Sequence, residues 1–289
     1  MPVKTVILDS IKLLRLPFSV FLLPISLFSF VYIQPNHNIQ LLLVLIIWHL
    51  LVFPASNAYN SYHDRDEGPI GALESPPKPT GLLMYIANAM DGLAILLSFH
   101  INLAFTGFVI LFIVVSRLYS NRKVRLKKYP ITAFVIVCLC QGAGVFVANI
   151  YGLGSAELYS NPSVVNASIA CFFFVGTIYP LTQIYQHEAD LKDGVKTISW
   201  LLGKKGTFIF SGLMFLLATL FVFLAFNTSF GLINFWLFIL IMLPATIYFI
   251  RWARRSFLDS SEINFKNTMT QLILSSLLNN LYFLILLLK

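Results

Sequence analysis

Four oxygen-bearing side chains, Asn57, Asn60, Asp64 and Glu67, follow one another at spacings of three and four residues at the end of a long apolar stretch. On a helix these spacings bring all four to one face. Carboxylate and amide oxygens in one row suit a hard divalent cation such as Mg²⁺, which takes oxygen ligands and commonly shares them with a phosphate. A second cluster, Gln186-His187-Glu188-Ala189-Asp190-Leu191-Lys192-Asp193-Gly194, closes another apolar stretch. Gln186 and Asp190 are four residues apart, Asp193 adds a third position on that face, and Gly194 is placed to end the helix.

Carboxylates at helix ends also cap helices or pair with flanking cations, and for either cluster alone that reading stands beside the functional one. Two similar clusters, each ending a long apolar span, favour convergence on one site. Between them the loop 117–129 packs six Lys and Arg into a short stretch. Those cations anchor the chain and attract anionic lipid heads. Alternatively Tyr119, Arg122, Lys123 or Arg125 faces the same vestibule and neutralises a phosphorylated substrate. The Gly- and Pro-rich stretch 68–79 cannot continue a helix and reads as an irregular loop, a candidate lid, in which Lys78 is a solvated charge or a phosphate contact. His63 and His187 lack a zinc-pair spacing and read as hydrogen-bonding neighbours; His49 reads as a packed polar residue. Asn88 and Asp91 fall near the middle of an apolar span, where an ionisable group is costly and is either functional or tied into packing.

The elements that position these residues follow from composition: 58% of the 289 residues are hydrophobic and only 11% charged. Apolar runs of about 17–25 residues, the length that crosses a bilayer as a helix, lie near 11–33, 39–60, 81–100, 102–118, 130–151, 163–186, 206–227, 231–250 and 268–288. The third and fourth are separated only by a short polar break at 99–102. With about nine spans and the N-terminus inside, every Lys and Arg of the 20 except Lys289 falls on one face, while the loops at 34–38 and 227–231 carry none. This is a positive-inside pattern. It accounts for the net charge of +8 as topology and gives no support to nucleic-acid binding. Of the 12 Asp and Glu, only Asp91 and Glu157 lie away from that face. Cys138, Cys140 and Cys171 fall inside spans and argue against a disulfide framework. The first apolar run lacks a cleavage site for a signal peptide. The chain reads as one all-α integral-membrane domain over 1–289, multi-pass, with its acid-bearing loops cytosolic; the expected location is the inner (plasma) membrane of a bacterium.

The two clusters resemble the motifs of the UbiA superfamily of intramembrane prenyltransferases, roughly Asn-Asp-x-x-Asp-x-x-x-Asp and Asp-x-x-x-Asp. Asn60 and Asp64 match the Asn and first spaced Asp of the former. Asp190 through Gly194-Val195-Lys196-Thr197 to Leu202-Gly203 is similar to the latter and its continuation, and Tyr119-Ser120 with Arg125 and Lys127 to the family's tyrosine-and-basic loop. Ser61, Gly68 and Gln186 stand where the family has acids. Asp66 or Glu67 stands in for the missing acid of the first site, Glu67 being better aligned with Asn60 and Asp64; Glu188, Asp190 or Asp193 stands in for that of the second. The resemblance implies a nine-helix bundle. It also implies Mg²⁺-dependent ionisation of a polyprenyl diphosphate and transfer of the prenyl group to an electron-rich, hydrophobic acceptor, aromatic or lipid, within the bilayer. It implies metal ligation by Asn60, Asp64, Glu67, Asp190 and Asp193, with Asn60, Asp64 and Asp190 as the catalytic core. Asn57, Tyr119, Arg122, Arg125, Lys196 and Gln186 are the implied substrate contacts. A terpene cyclase of the same fold, a non-catalytic lipid- or quinone-binding relative and an ion-coupled transporter are the alternatives.

Overall fold

The protein is described by a computed structural model over residues 3–33 and 38–289. Among these residues eight helices are long and apolar enough to cross a membrane, or nine when a bent pair near the N-terminus counts as one span. Helix α1 (Val3–Leu13) leads through a short helical turn, Leu16–Ser19, into α2 (Leu23–Ile33). The next spans are α3 (Ile39–Asp64), α4 (Gly81–Ser98), α5 (Leu103–Ser120), α6 (Pro130–Leu153) and α7 (Pro162–Gln183). The short α8 (His187–Lys192) precedes α9 (Ile198–Asn227), α10 (Leu232–Leu258) and α11 (Phe265–Leu287). The expected loop at 34–38 lies, but for Asn38, outside the described residues. The polar break at 99–102 does separate two helices: Asn102 caps α5 through Phe105 N–H at 2.8 Å and donates to the carbonyls of Tyr151 and Gly152.

The first span departs from the expected continuous helix over 11–33. Its two arms are bent by 44°. Arg15 adopts a left-handed backbone (φ 49), and Pro17 and Pro24 each sit in the first turn of a new helical segment, where a missing N–H is tolerated. A break inside hydrocarbon leaves carbonyls that must be satisfied. Ser276 Oγ and Asn280 Nδ2 of α11 donate to Val20 O at 2.9 and 3.3 Å, and His49 Nδ1 lies 3.0 Å from Ser19 O. His49 is therefore a packed polar residue, as its mid-span position suggests. The seventh expected span also starts early. Its helix begins at Ile198, and Gly203 (φ 68) kinks it before the apolar run.

Side-chain hydrogen bonds tie the spans together at depth. Trp48 Nε1 donates to Asn149 Oδ1 (2.9 Å), Asn149 Nδ2 to Ser29 Oγ (2.9 Å), and Tyr32 meets Ser163 at 2.7 Å while Ser163 Oγ donates to Ala225 O. Asp91 is buried and ion-paired with Arg117, whose Nε donates to it at 2.9 Å and whose guanidinium lies 4.0 Å from the Tyr59 ring centre. That pairing makes Asp91 a packing charge and removes the only feature that favoured a transporter.

Helix α6 widens into a π-wound turn over Cys138–Gly144, and there α7 comes close enough that a Cβ at Gly142 would collide with the Cys171 carbonyl. Gly142→Ala should therefore lower stability by about 1–3 kcal/mol, the usual cost of overpacking. Gly92→Ala, at a position with open space around it, should not. Thermal unfolding in detergent, read by loss of the monodisperse peak, checks the pair.

Candidate functional site

Helix α3 delivers Asn57, Asn60 and Asp64 to one face, then stops. Arg65 takes the left-handed conformation (φ 55) and its N–H bonds Ser61 O at 3.1 Å. The helical register therefore does not extend to Glu67. Glu67 is exposed and does not line the cavity that Asn57, Asn60 and Asp64 share, whereas Asp66 does. The expectation that Glu67 continues the row is corrected on that ground.

The second cluster reaches the same cavity from the opposite side. Helix α7 ends at Gln183, α8 carries Asp190, and Gly194 (φ 71) turns the chain after Asp193. Gln186, Asp190 and Asp193 line the cavity, of about 220 Å³, together with Tyr119. Gln186 Nε2 donates to Pro69 O at 2.6 Å, so the residue standing at an acid position of the resembling motif fastens the 65–80 loop instead. That loop is irregular, as its Gly and Pro content dictates, and inserts Ile70 and Gly71 into the cavity wall.

The cations of the 121–129 loop join the two acid clusters. Lys127 Nζ lies 2.5 Å from Asp64 Oδ1 and 3.9 Å from Asp193 Oδ2. Arg125 clasps Asp193, donating to its carbonyl at 3.0 Å and pairing with its carboxylate. Arg122 donates to His63 O at 2.7 Å and stands 3.8 Å from Asp193. Arg122 and Arg125 thus brace the rim from outside the cavity, and it is Lys127 that lines it. Lys196 is placed outside as well. Val195 and Thr197 flank it in the extended connection to α9 and line the cavity, so alternation turns Lys196 outward onto the Trp200 ring at 4.7 Å.

Two cavity groups carried no usable sequence signal. Arg15 is buried and donates to Asn57 O (3.3 Å) and Asn60 Oδ1 (3.4 Å). Its only mark in the sequence is a lone cation between apolar residues just before Pro17. Tyr179, near the C-terminal end of α7, shares a 2.7 Å hydroxyl contact with Tyr119. Below the polar rim the walls turn apolar, with Phe112, Val137, Val175 and Ile178.

The electrostatics are those of crowded carboxylates. Burial, reinforced by Asp64, pushes Asp66 up to about 6. Burial also pushes Asp190 up to about 7, opposed by Lys127 and reinforced by Asp66 and Asp64. Asp190 Oδ2 is buried without a hydrogen-bond partner. Among the described residues no three carboxyl or imidazole groups converge closely enough to chelate an ion by themselves. Oxygen donors facing each other across one cavity, with an unpartnered oxygen and mutually raised acids, nevertheless fit Mg²⁺, which keeps part of its shell for water and phosphate.

The family model of the UbiA prenyltransferase family matches residues 21–276. No curated protein matches the sequence. Among solved structures, a UbiA homolog from Archaeoglobus fulgidus bound to GPP and Mg²⁺ superposes with a TM-score of 0.67 at 19% identity, covering 97% of this chain and 100% of that one. The same homolog bound to DMAPP and Mg²⁺ gives 0.68 at 18%, covering 96% and 99%. A structure described with the biosynthesis of digeranylgeranylglyceryl phosphate synthase in membranes gives 0.63 at 17% identity, covering 98% of each. At these identities the structures speak for the fold, and the family match speaks for membership. The chain belongs to the UbiA prenyltransferase family and is a multi-pass membrane prenyltransferase.

Proposed function

We propose that the protein transfers a prenyl group from a polyprenyl diphosphate to an electron-rich hydrophobic acceptor, with Mg²⁺ bound between its two acid clusters. One observation carries the reading: Asn60, Asp64 and Asp66 face Asp190 and Asp193 across a cavity whose floor is apolar. The homologs of similar fold were solved with short prenyl diphosphates and Mg²⁺, which supports the same donor and cation here. The concentration of Lys and Arg on the site's face supports a cytosolic opening.

Asn60, Asp64, Asp66, Asp190 and Asp193 are the residues that would hold the cation. When bound, Mg²⁺ supplies charge stabilisation to the departing diphosphate. Lys127 and Arg15 add positive charge at the same rim, where burial strengthens it. The prenyl chain occupies the apolar lower cavity. The allylic C–O bond breaks with its electron pair leaving on the diphosphate. An electron pair of the acceptor then forms the new bond to the allylic carbon, and the acceptor loses a proton to the diphosphate or solvent. Tyr119, Tyr179 and Phe112 present aromatic surface to the cationic stage. The 65–80 loop, fastened through Gln186, keeps water from it.

Asp64→Ala and Asp190→Ala should each reduce Mg²⁺-dependent diphosphate release by about 100-fold or more, the scale of losing one electrostatic stabiliser, with membrane insertion intact. Full activity in both variants sinks the site. Asp66→Asn should raise the Mg²⁺ concentration needed for half-maximal rate, whereas Glu67→Gln should leave it unchanged; the reverse order restores the helical register beyond Asp64.

The pH dependence has a definite sign. Asp66 near 6 and Asp190 near 7 hold protons in the folded protein that an unfolded chain has already released. Their contribution to metal-free stability is therefore full below the ordinary carboxylate range and lost as pH rises toward 7. A bound cation must displace those protons, so apparent Mg²⁺ affinity, measured through prenyl diphosphate binding, should rise between pH 6 and pH 8. A flat profile, or one that falls, contradicts the assignment.

A further inference from the structure

Asp190 faces the cavity without a hydrogen-bond partner for Oδ2, so its aim is set by the short helix that carries it. That helix, α8, has six residues, and none of them is buried. A helix this short is not stable by itself, and apolar packing does not hold it here. Polar tethers must therefore place it. At its C-terminal end Asp193 pairs with Arg125, Arg122 and Lys127. At its N-terminal end His187 Nε2 lies 2.8 Å from Ser199 Oγ.

The two tethers differ in kind. Asp193 lines the cavity and is one of the proposed cation ligands, so loading the site redistributes its pairings. His187 and Ser199 lie outside the cavity lining, where neither a cation nor a diphosphate competes for their bond. Gln186 fastens the 65–80 loop to α8 and adds no hold on the bundle. Ser199, by contrast, is fully buried at the start of α9. Its N–H, one of the unpaired donors at a helix start, meets Gln183 Oε1 of α7 at 3.4 Å. Its Oγ lies 2.9 Å from Thr207 Oγ1. The Thr207 hydroxyl has one proton, which goes to the carbonyl of Gly203 (2.8 Å) or of Ser199 (3.1 Å). Ser199 Oγ–H then donates to Thr207, and His187 Nε2–H donates to Ser199. Burial, reinforced by Lys204, lowers the His187 pKa, which makes this donor a neutral ring with its proton on Nε2.

We infer that His187 is a positioning residue for Asp190: by donating to buried Ser199 it pins the start of α8 to α9 and aims the Asp190 carboxylate into the cavity. The inference rests on the prenyl-transfer reading and adds to it a residue that touches neither cation nor substrate. Asp190 N–H bonds Gln186 O at 2.9 Å and Val195 N–H bonds Asp190 O at 2.8 Å, so the backbone of Asp190 moves with the pinned end.

The test uses full-length protein in phosphatidylcholine nanodiscs, with binding of tritiated geranyl diphosphate followed as Mg²⁺ is titrated. His187→Phe keeps a ring and removes the donor. It should raise the Mg²⁺ concentration for half-maximal binding about tenfold, on the scale of one buried hydrogen bond, with little change in thermal unfolding. His187→Gln places an amide N–H₂ near the Nε2 position and should recover most of that shift, whereas His187→Asn is too short and should not. Ser199→Ala should match His187→Phe, and the double variant should be no worse than either alone. Should His187→Phe unfold, the Gln and Asn variants carry the same comparison between two polar side chains. An unchanged Mg²⁺ requirement in every variant, Gln no better than Asn, or additive effects of His187→Phe and Ser199→Ala overturns the inference. So does a loss of stability at an unchanged Mg²⁺ requirement, because the bond is then a fold contact and nothing more. Lack of Mg²⁺-dependent binding by the unaltered protein sinks the proposed function itself, which keeps the two failures distinct.

Discussion

Lys127 stands between carboxylates that would otherwise repel each other. With Nζ 2.5 Å from Asp64 and 3.9 Å from Asp193, it bridges the end of α3 and the segment after α7. Arg125 and Arg122 complete the brace from outside. Concentrated negative charge beside hydrocarbon is unstable without compensation, and these cations, all from the loop after α5, supply it. The ends of α3, α5 and α7 at the cavity are therefore registered against one another by charge. Their apolar faces, which slide more easily, fill in around that fixed point.

Compensation of this kind also explains why the acids remain crowded. Asp66 and Asp190 are raised chiefly by burial and further by the neighbouring carboxylates, which Lys127 offsets only in part. The polar rim is thus left short of positive charge, a deficit that the proposed Mg²⁺ would fill. Several polar groups deeper in the bundle are paired instead. Asp91 has Arg117, Asn149 links Trp48 to Ser29, and Ser163 links Tyr32 to α9.

Much of the architecture was legible in residue order because hydrocarbon allows so few backbone solutions. Span positions, the charged face, the break at 99–102 and the terminator Gly194 all follow from local patterns. The two acid clusters were legible for the same reason, as conspicuous polar groups ending apolar runs. What escaped depends on backbone turns that leave helical periodicity. Glu67 misleads because Arg65 ends the helix before it. Lys196 misleads because its segment is extended, so that Val195 and Thr197 take the inward places. Arg15 is invisible because its approach to Asn57 and Asn60 follows from a broken first span, whose carbonyls are satisfied by α3 and by α11 at the far end of the chain.

Gln186 binds the 65–80 loop through the backbone carbonyl of Pro69 rather than through a side chain. A carbonyl is supplied by any residue, so this latch constrains the identity of one partner only. The loop is free to drift in sequence, altering the shape and polarity of the cavity mouth, while its attachment survives each change. An amide at this position carries no charge and serves as a hinge pin. Substrate preference can then diversify through the loop without rebuilding the metal-facing wall.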